Sequence, residues 1–178
     1  MSIEFWFIQA IGIVAWILLV ISYYREDTNK ILVFQIIATI LYCVHYWLLS
    51  AYSGLFICVF EVFRDYLYYR TDLDNYIFYG SIPVYLVFGM ISFTGWFDLF
   101  PIVSSLLDGY TLTKSKNIVV IGAIISYTLW VIYDICVMSI SCAITDGIVV
   151  LSNISILLFD FNPFDYKKKG KTPLILKR

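Results

Sequence analysis

Residues 5–30 read FWFIQAIGIVAWILLVISYYREDTNK: an uncharged run from Phe5 to Tyr24, then a polar break from Arg25 to Lys30. A helix needs roughly 20 apolar residues to cross the hydrocarbon core of a bilayer, and this run is long enough. Its N-terminal flank, Met1-Ser2-Ile3-Glu4, carries no Lys or Arg, and no clear small-residue cleavage site follows. A secretory signal would show both, so the run reads as a retained span.

The pattern continues outward from there. Apolar runs recur at 30–50, 52–69, 76–93, 96–113, 117–137 and 139–160. Between them lie Arg70-Thr71-Asp72-Leu73-Asp74-Asn75, Thr94-Gly95 and Lys114-Ser115-Lys116-Asn117, with weaker interruptions near 50–53 and 137–141. Of the 178 residues, 61% are hydrophobic and 14% charged, whereas soluble domains hold about 25% charged residues. A soluble fold would expose large apolar patches and aggregate; lipid removes that difficulty. The expected fold class is therefore an all-α integral membrane protein with seven transmembrane helices.

Charge placement predicts orientation. Cytoplasmic flanks carry the excess of Lys and Arg. All twelve basic residues fall on one predicted side: Arg25 and Lys30, Arg64 and Arg70, Lys114 and Lys116, then Lys167, Lys168, Lys169, Lys171, Lys177 and Arg178. The alternate connections carry none. This predicts an N-terminus outside, a C-terminus in the cytoplasm and a multi-pass protein of the bacterial cytoplasmic (inner) membrane. Trp96 and Phe97 fit an aromatic belt at an outer boundary. The basic tail, 161–178, serves topology or binds anionic lipid. Cys43 and Cys58 lie in apolar runs as small hydrophobes, and Cys136 and Cys142 flank a predicted outer turn.

A shift of 88 positions lays the chain on itself. Leu41-Tyr42 falls on Leu129-Trp130, His45-Tyr46 on Tyr133-Asp134, Ala51-Tyr52-Ser53 on Ser139-Ile140-Ser141, and Arg64-Asp65 on Ser152-Asn153. Internal repeats are common in transporters. The expected organisation is a first three-helix repeat at 1–70, a linker helix at 71–94, and a second three-helix repeat at 95–160. With one span between them, both triplets run in the same direction, a 3-1-3 parallel repeat about an axis along the membrane normal.

That layout resembles the SWEET, PnuC and PQ-loop (MtN3-like) superfamily of membrane carriers. A closer resemblance is to the YgjV family of bacterial inner-membrane proteins. It is carried by Gln9-Ala10-Ile11-Gly12, by Val44-His45-Tyr46-Trp47-Leu48-Leu49-Ser50-Ala51-Tyr52, by Arg64, by Pro101-Ile102, and by Asp146-Gly147 followed by Asn153. The chain departs from the family pattern with Glu61 in place of an Asn and Tyr133-Asp134 in place of a His-Asn pair. Of its prolines only Pro83 and Pro101 lie within spans, which is short of the sugar-carrier pattern. The wider resemblance implies a transporter whose third- and seventh-span polar residues, here Glu61, Asp65 and Asn153, face each other across a central cavity. It also implies an aromatic residue covering the ligand.

The residues themselves supply candidates. Ionisable groups inside a bilayer are costly and mark functional sites. Glu61, Arg64 and Asp65 share one helical face. Glu61 either pairs with Arg64 for insertion or serves a substrate or a proton, and Arg64 lies close enough to the cytoplasmic end to snorkel. Asp146 and Asn153, seven apart, share a face; the Asn amide suits either recognition or interhelical bonding. His45, the only histidine, is a proton relay or a hydrogen-bonded structural residue. Asp134 and Asp108, near span ends, read as hydrated. Tyr42, Tyr46, Trp47 and Trp130 are the aromatic candidates.

The proposed substrate-binding set is thus Asn153, Glu61, Asp65, Tyr42, Tyr46, Trp47, Trp130 and Asp146, with Glu61, His45 and Asp146 as proton-coupling candidates. There is no Walker phosphate loop, no HExxH or paired Cys/His pattern and no GxSxG. No enzyme, cofactor, metal or nucleic-acid partner is expected. The expected function is a small-molecule transporter or facilitator for a vitamin-like or other small polar metabolite, working by alternating access between two three-helix bundles. The alternative is a non-transporting receptor or a partner subunit of a membrane complex. Small-residue faces such as Gly12 with Ala15 pack helices within one chain or in a homo-oligomer.

Overall fold

The computed structural model describes residues 3–23, 28–71, 74–111 and 116–159. Among the described residues seven α-helices follow one another: α1 (Ile3–Tyr23), α2 (Thr28–Leu48), α3 (Tyr52–Arg70), α4 (Asp74–Ser92), α5 (Leu99–Thr111), α6 (Lys116–Cys136) and α7 (Ile140–Phe159). A single 3-10 turn, Trp96–Asp98, leads into α5. No strand occurs among the described residues. The basic tail and the breaks holding Arg25 and Lys114 lie outside them.

Among the described residues, four helices contain stretches long and apolar enough to cross a membrane: Ile3–Ile21, Asn75–Ser92, Asn117–Cys136 and Ile140–Leu158. The other three are shorter in apolar length for visible reasons. The apolar part of α2 is Val33–Leu48. In α3 the stretch is interrupted by Glu61, Arg64 and Asp65, and α5 has 13 residues.

Polarity is inverted relative to a soluble protein. Met90 is 74% exposed, Leu158 66% and Phe63 63%, while Gln9, His45, Arg64, Asp98 and Asp134 are each below 5%. Soluble proteins almost never bury charged residues fully unless they are paired. Here lipid replaces water on the outside, and polar groups bond one another within. Gly12 lies in that interior, and a Cβ there would collide with Ser141 Oγ and stand 3.2 Å from the His45 ring. Its small face therefore packs α1 against α2 and α7 of the same chain.

The helices pack in sequence, α1 on α2, α2 on α3, α5 on α6 and α6 on α7, with α4 between α3 and α5. Two further contacts close the arrangement, α1 with α7 and α3 with α5. Several structural features recur 88 positions apart. Helix α6 is α2 shifted by 88 at both ends, and α3 and α7 begin 88 apart. The two non-glycine residues with positive φ among the described residues, Ser50 at 57° and Met138 at 60°, are also 88 apart. Around each, the same four backbone hydrogen bonds form; Ala51 N to Tyr46 O and Ser139 N to Asp134 O are one such pair.

Candidate functional site

Two polar clusters lie inside the helices. The first sits beside the turns at 49–51 and 137–139. The last turns of α2 and α6 carry His45-Tyr46 and Tyr133-Asp134, and the Tyr46 hydroxyl donates to Asp134 Oδ1 at 2.9 Å. The bond joins positions 88 apart. Asp134 is 0% exposed, which corrects the expectation of a hydrated carboxylate. The turn folds back over the end of α6 and shuts it from solvent. Its second oxygen, Oδ2, is buried with no hydrogen-bond partner, as is Ser141 Oγ.

His45 is also wholly buried. Its Nδ1 lies 2.8 Å from Ile8 O, and its Nε2 lies 2.8 Å from Ser139 Oγ. A carbonyl only accepts, so Nδ1 carries the proton, and in the neutral ring Nε2 accepts from Ser139. With both nitrogens engaged, the geometry favours the hydrogen-bonded structural role. Gln9 ties the same corner: its Nε2 donates to Met138 O at 3.0 Å and its Oε1 accepts from Ser141 N at 2.8 Å.

Tyr133 anchors the opposite side. Its hydroxyl lies 2.9 Å from Gly54 N and 2.8 Å from Ser53 Oγ, and Ser53 Oγ also contacts Asp98 Oδ1. Ser53 has one hydroxyl hydrogen, and a carboxylate can only accept. The chain of donation therefore runs from Gly54 N–H to Tyr133, from Tyr133 to Ser53, and from Ser53 to Asp98. Asp98 Oδ2 accepts from Thr94 N, Thr94 Oγ1 and Gly95 N, which caps the turn into α5.

Aromatic rings fill the middle. Trp130 stacks on Tyr46 at 5.9 Å between centroids and meets Tyr133 edge-on at 5.7 Å. Tyr42 packs against this group. Trp47, proposed beside them, is 59% exposed on the outer surface. It is one residue past Tyr46, and a helix turns about 100° per residue.

The second cluster centres on α3 and α5. Ser105 Oγ donates to Glu61 Oε1. Arg64 Nη1 donates to Tyr85 OH and to Ser105 O, each at 2.9 Å. Arg64 is 4% exposed and does not snorkel; acceptors from α4 and α5 hold it inside. Ser104 and Ser126 join α5 to α6 at 2.6 Å. Asp146 and Tyr42 are partly buried.

Asn153 is partly buried, and its Nδ2 donates to Val149 O of its own helix at 2.9 Å. The Asp65 side chain lies outside the described residues. Of the proposed set, then, the structure gathers Tyr42, Tyr46, Trp130, Glu61 and Asp146 in the interior and leaves Trp47 apart. Sequence reasoning missed Ser53, Asp98, Ser105 and Ser139. Only Asp98 had a readable signal, an acid three residues after the Gly95 break. All four cysteines are free thiols. On the outer face, α6 and α7 form an apolar recess lined by Val131, Ile135, Met138, Ile140, Ala143 and Ile144, remote in character from the polar interior.

No curated protein and no solved structure matches the chain. Residues 6–159, from the first turns of α1 to the end of α7, match Imp-YgjV, described as a bacterial inner membrane protein, and the chain belongs to that family.

Proposed function

We propose that the chain is a small-molecule transporter of the bacterial inner membrane, with seven spans, its N-terminus outside and its C-terminus cytoplasmic. In this reading α1–α3 and α5–α7 are two parallel three-helix units, α4 links them, and a substrate binds between them. The 88-residue recurrence of helix bounds, turn geometry and hydrogen bonds supports the 3-1-3 organisation. So does the reciprocal packing of α1 on α7 and of α3 on α5. The resemblance to SWEET- and PnuC-like carriers points the same way.

One observation carries the functional reading. The two units meet at equivalent positions through the buried hydrogen bond from Tyr46 to Asp134, with Tyr42 packed against the same core. Gln9, His45, Tyr46 and Ser53 all bond the second unit at the end where the two turns lie. That end is closed, as one end of an alternating-access carrier is. Opening it breaks these bonds, and closing the other end encloses the substrate.

The test is thermal unfolding of the detergent-purified protein with nucleosides, pyridine and flavin vitamins, sugars, amines and amino acids. A ligand bound only by the folded state stabilises by about 2.7 kcal/mol at a hundredfold excess over its Kd. The same ligand should lose its effect in Asn153→Ala. That variant is expected to fold, because the Asn153 donor serves only a carbonyl of its own helix. A folded protein that no ligand stabilises moves the function to a receptor or partner subunit.

A further inference from the structure

We infer that the groove between α1 and α7 is the seat of a membrane-spanning helix from a partner protein, the counterpart of the place that α4 fills between α3 and α5. The inference goes beyond the transporter reading and rests only on its two-unit organisation. Six helices touch in a closed circuit, α1, α2, α3, α5, α6 and α7 in turn, and α4 lies against α3 and α5. The shift of 88 carries α3 onto α7 and, by the common ends at Tyr23 and Thr111, α1 onto α5. It therefore carries the seat of α4 onto the α1–α7 groove. In the filled seat, Phe56 stacks on Phe88 of α4 at 5.5 Å between centroids, and Phe60 meets Tyr85 edge-on at 5.0 Å. Ile102 of α5 is 6% exposed beneath Gly89, where a Cβ would collide with it. The counterparts are bare. Ile144 is 60% exposed, Val14 is 48% exposed, and Ile148 is exposed as well. An exposed apolar face is ordinary in lipid. Three positions covered by a helix in one unit and uncovered in the other mark a vacant seat.

The filled seat states what the bare one takes. Helix α4 runs opposite to α3 and α5, so the partner helix runs opposite to α1 and α7, from the cytoplasm outward in the proposed orientation. Helices in lipid associate by close packing, which small residues permit. Gly89 serves that purpose over Ile102, so the partner helix carries a small residue over Val14. Gly147 leaves room on the α7 side, with nothing within 4 Å of a Cβ there. Arg64 donates to Tyr85 of α4, whereas its counterpart Ser152 donates to Ile148 O of its own helix. The partner helix therefore needs no polar group at that level and is apolar along the groove. A second copy offering its own α4 does not close the arrangement. The α3–α5 and α7–α1 contacts are opposite edges of the circuit, so each added copy leaves a new groove bare. The occupant is a helix of a different chain, as a partner subunit would supply.

The experiment places the full chain in phospholipid nanodiscs with a synthetic peptide of the α4 sequence, Asp74–Ser92, as the probe helix. A photoreactive benzoylphenylalanine replaces Val14, Ile148 or, as a control exposed on α2, Ile40. The expected result is a peptide adduct at Val14 and at Ile148 that exceeds the Ile40 adduct by about tenfold, the ratio a preference of about 1.4 kcal/mol gives. Filling the open space with Gly147→Trp should remove most of both adducts. A peptide carrying Gly89→Ile should give weaker adducts than the native one, because the small residue at the crossing is lost. If Gly147→Trp does not fold, the Gly89→Ile peptide on the unaltered chain reads the same contact. No peptide adduct at Val14 or Ile148 overturns the seat, and so do equal adducts at Ile40. Adducts unaffected by both Gly147→Trp and the Gly89→Ile peptide overturn the groove geometry. An adduct between two full chains at Val14, formed in place of the peptide adduct, overturns the separate partner and gives the groove to a second copy. The ligand test of transport is read on different residues, so transport and docking fail separately.

Discussion

Tyr46 and Asp134 show how one bond between two side chains can carry a disproportionate share of the interior. The Tyr46 hydroxyl donates to Oδ1 of the wholly buried Asp134. Tyr46→Phe keeps the ring, its stack on Trp130 and its packing, and removes only that donor. Hydrogen bonds in membrane proteins are worth about 0.6 kcal/mol on average, but stranding a buried acceptor costs about 1–3 kcal/mol. Tyr46→Phe is therefore expected to destabilise by the larger figure, measured by thermal unfolding in detergent, and Asp134→Asn should recover part of the loss in a double variant. Intact stability in Tyr46→Phe would show that the Tyr46–Asp134 bond contributes nothing to the fold. At this scale the sequence was only partly readable. Glu61, Tyr46 and Asp146 stand out as polar groups in apolar runs, and the structure turns them inward. Asp134 was misjudged because distance from a span end says nothing about a turn that folds back to cover it. Trp47 was grouped with Tyr46 by sequence proximity, although adjacent residues of a helix point in different directions.

Elements were more legible than side chains, because runs of apolar residues report directly on span length. The expected breaks at 50–53 and 137–141, the weakest in the sequence, fall on the turns that hold Ser50 and Met138 in positive φ. No Gly or Pro marked them. Residues of this kind adopt such a conformation rarely, and here the four flanking backbone bonds impose it. How closely helices approach was less legible, since a glycine in an apolar run looks the same whether it is crowded or free. Gly12 faces Ser141 and His45 at contact distance, whereas a Cβ on Gly147 meets nothing within 4 Å. Gly12→Ala should therefore push α1 away from α7, lower the unfolding midpoint and loosen the Gln9 bonds to Met138 and Ser141. Gly147→Ala should leave the midpoint unchanged or raise it slightly through better helix propensity. Equal effects of the two substitutions would mean that the α1–α7 contact is not close.

On the scale of the whole molecule, the proposed orientation makes a claim that one native side chain can test. Cys136 ends α6, is exposed, and lies beside the turn that precedes α7. In the proposed topology that turn faces outward, and Lys177 in the tail faces the cytoplasm. Cys58 and Cys142 are buried and should react slowly, while the partly exposed Cys43 is best replaced by alanine. In spheroplasts carrying Cys43→Ala, a membrane-impermeant maleimide should label Cys136 without permeabilisation. In a chain with Cys43→Ala, Cys136→Ser and Lys177→Cys, labelling should appear only after the membrane is opened. The reverse pattern would invert the topology and place the bonds of Gln9, His45, Tyr46 and Ser53 at the cytoplasmic end. The carrier would then be closed inward and open outward, so the same contacts would be gating release rather than uptake. Labelling of both positions from outside would mean an even number of crossings between Cys136 and Lys177. Helix α7 would then not cross alone, and the parallel three-helix units would lose their third member.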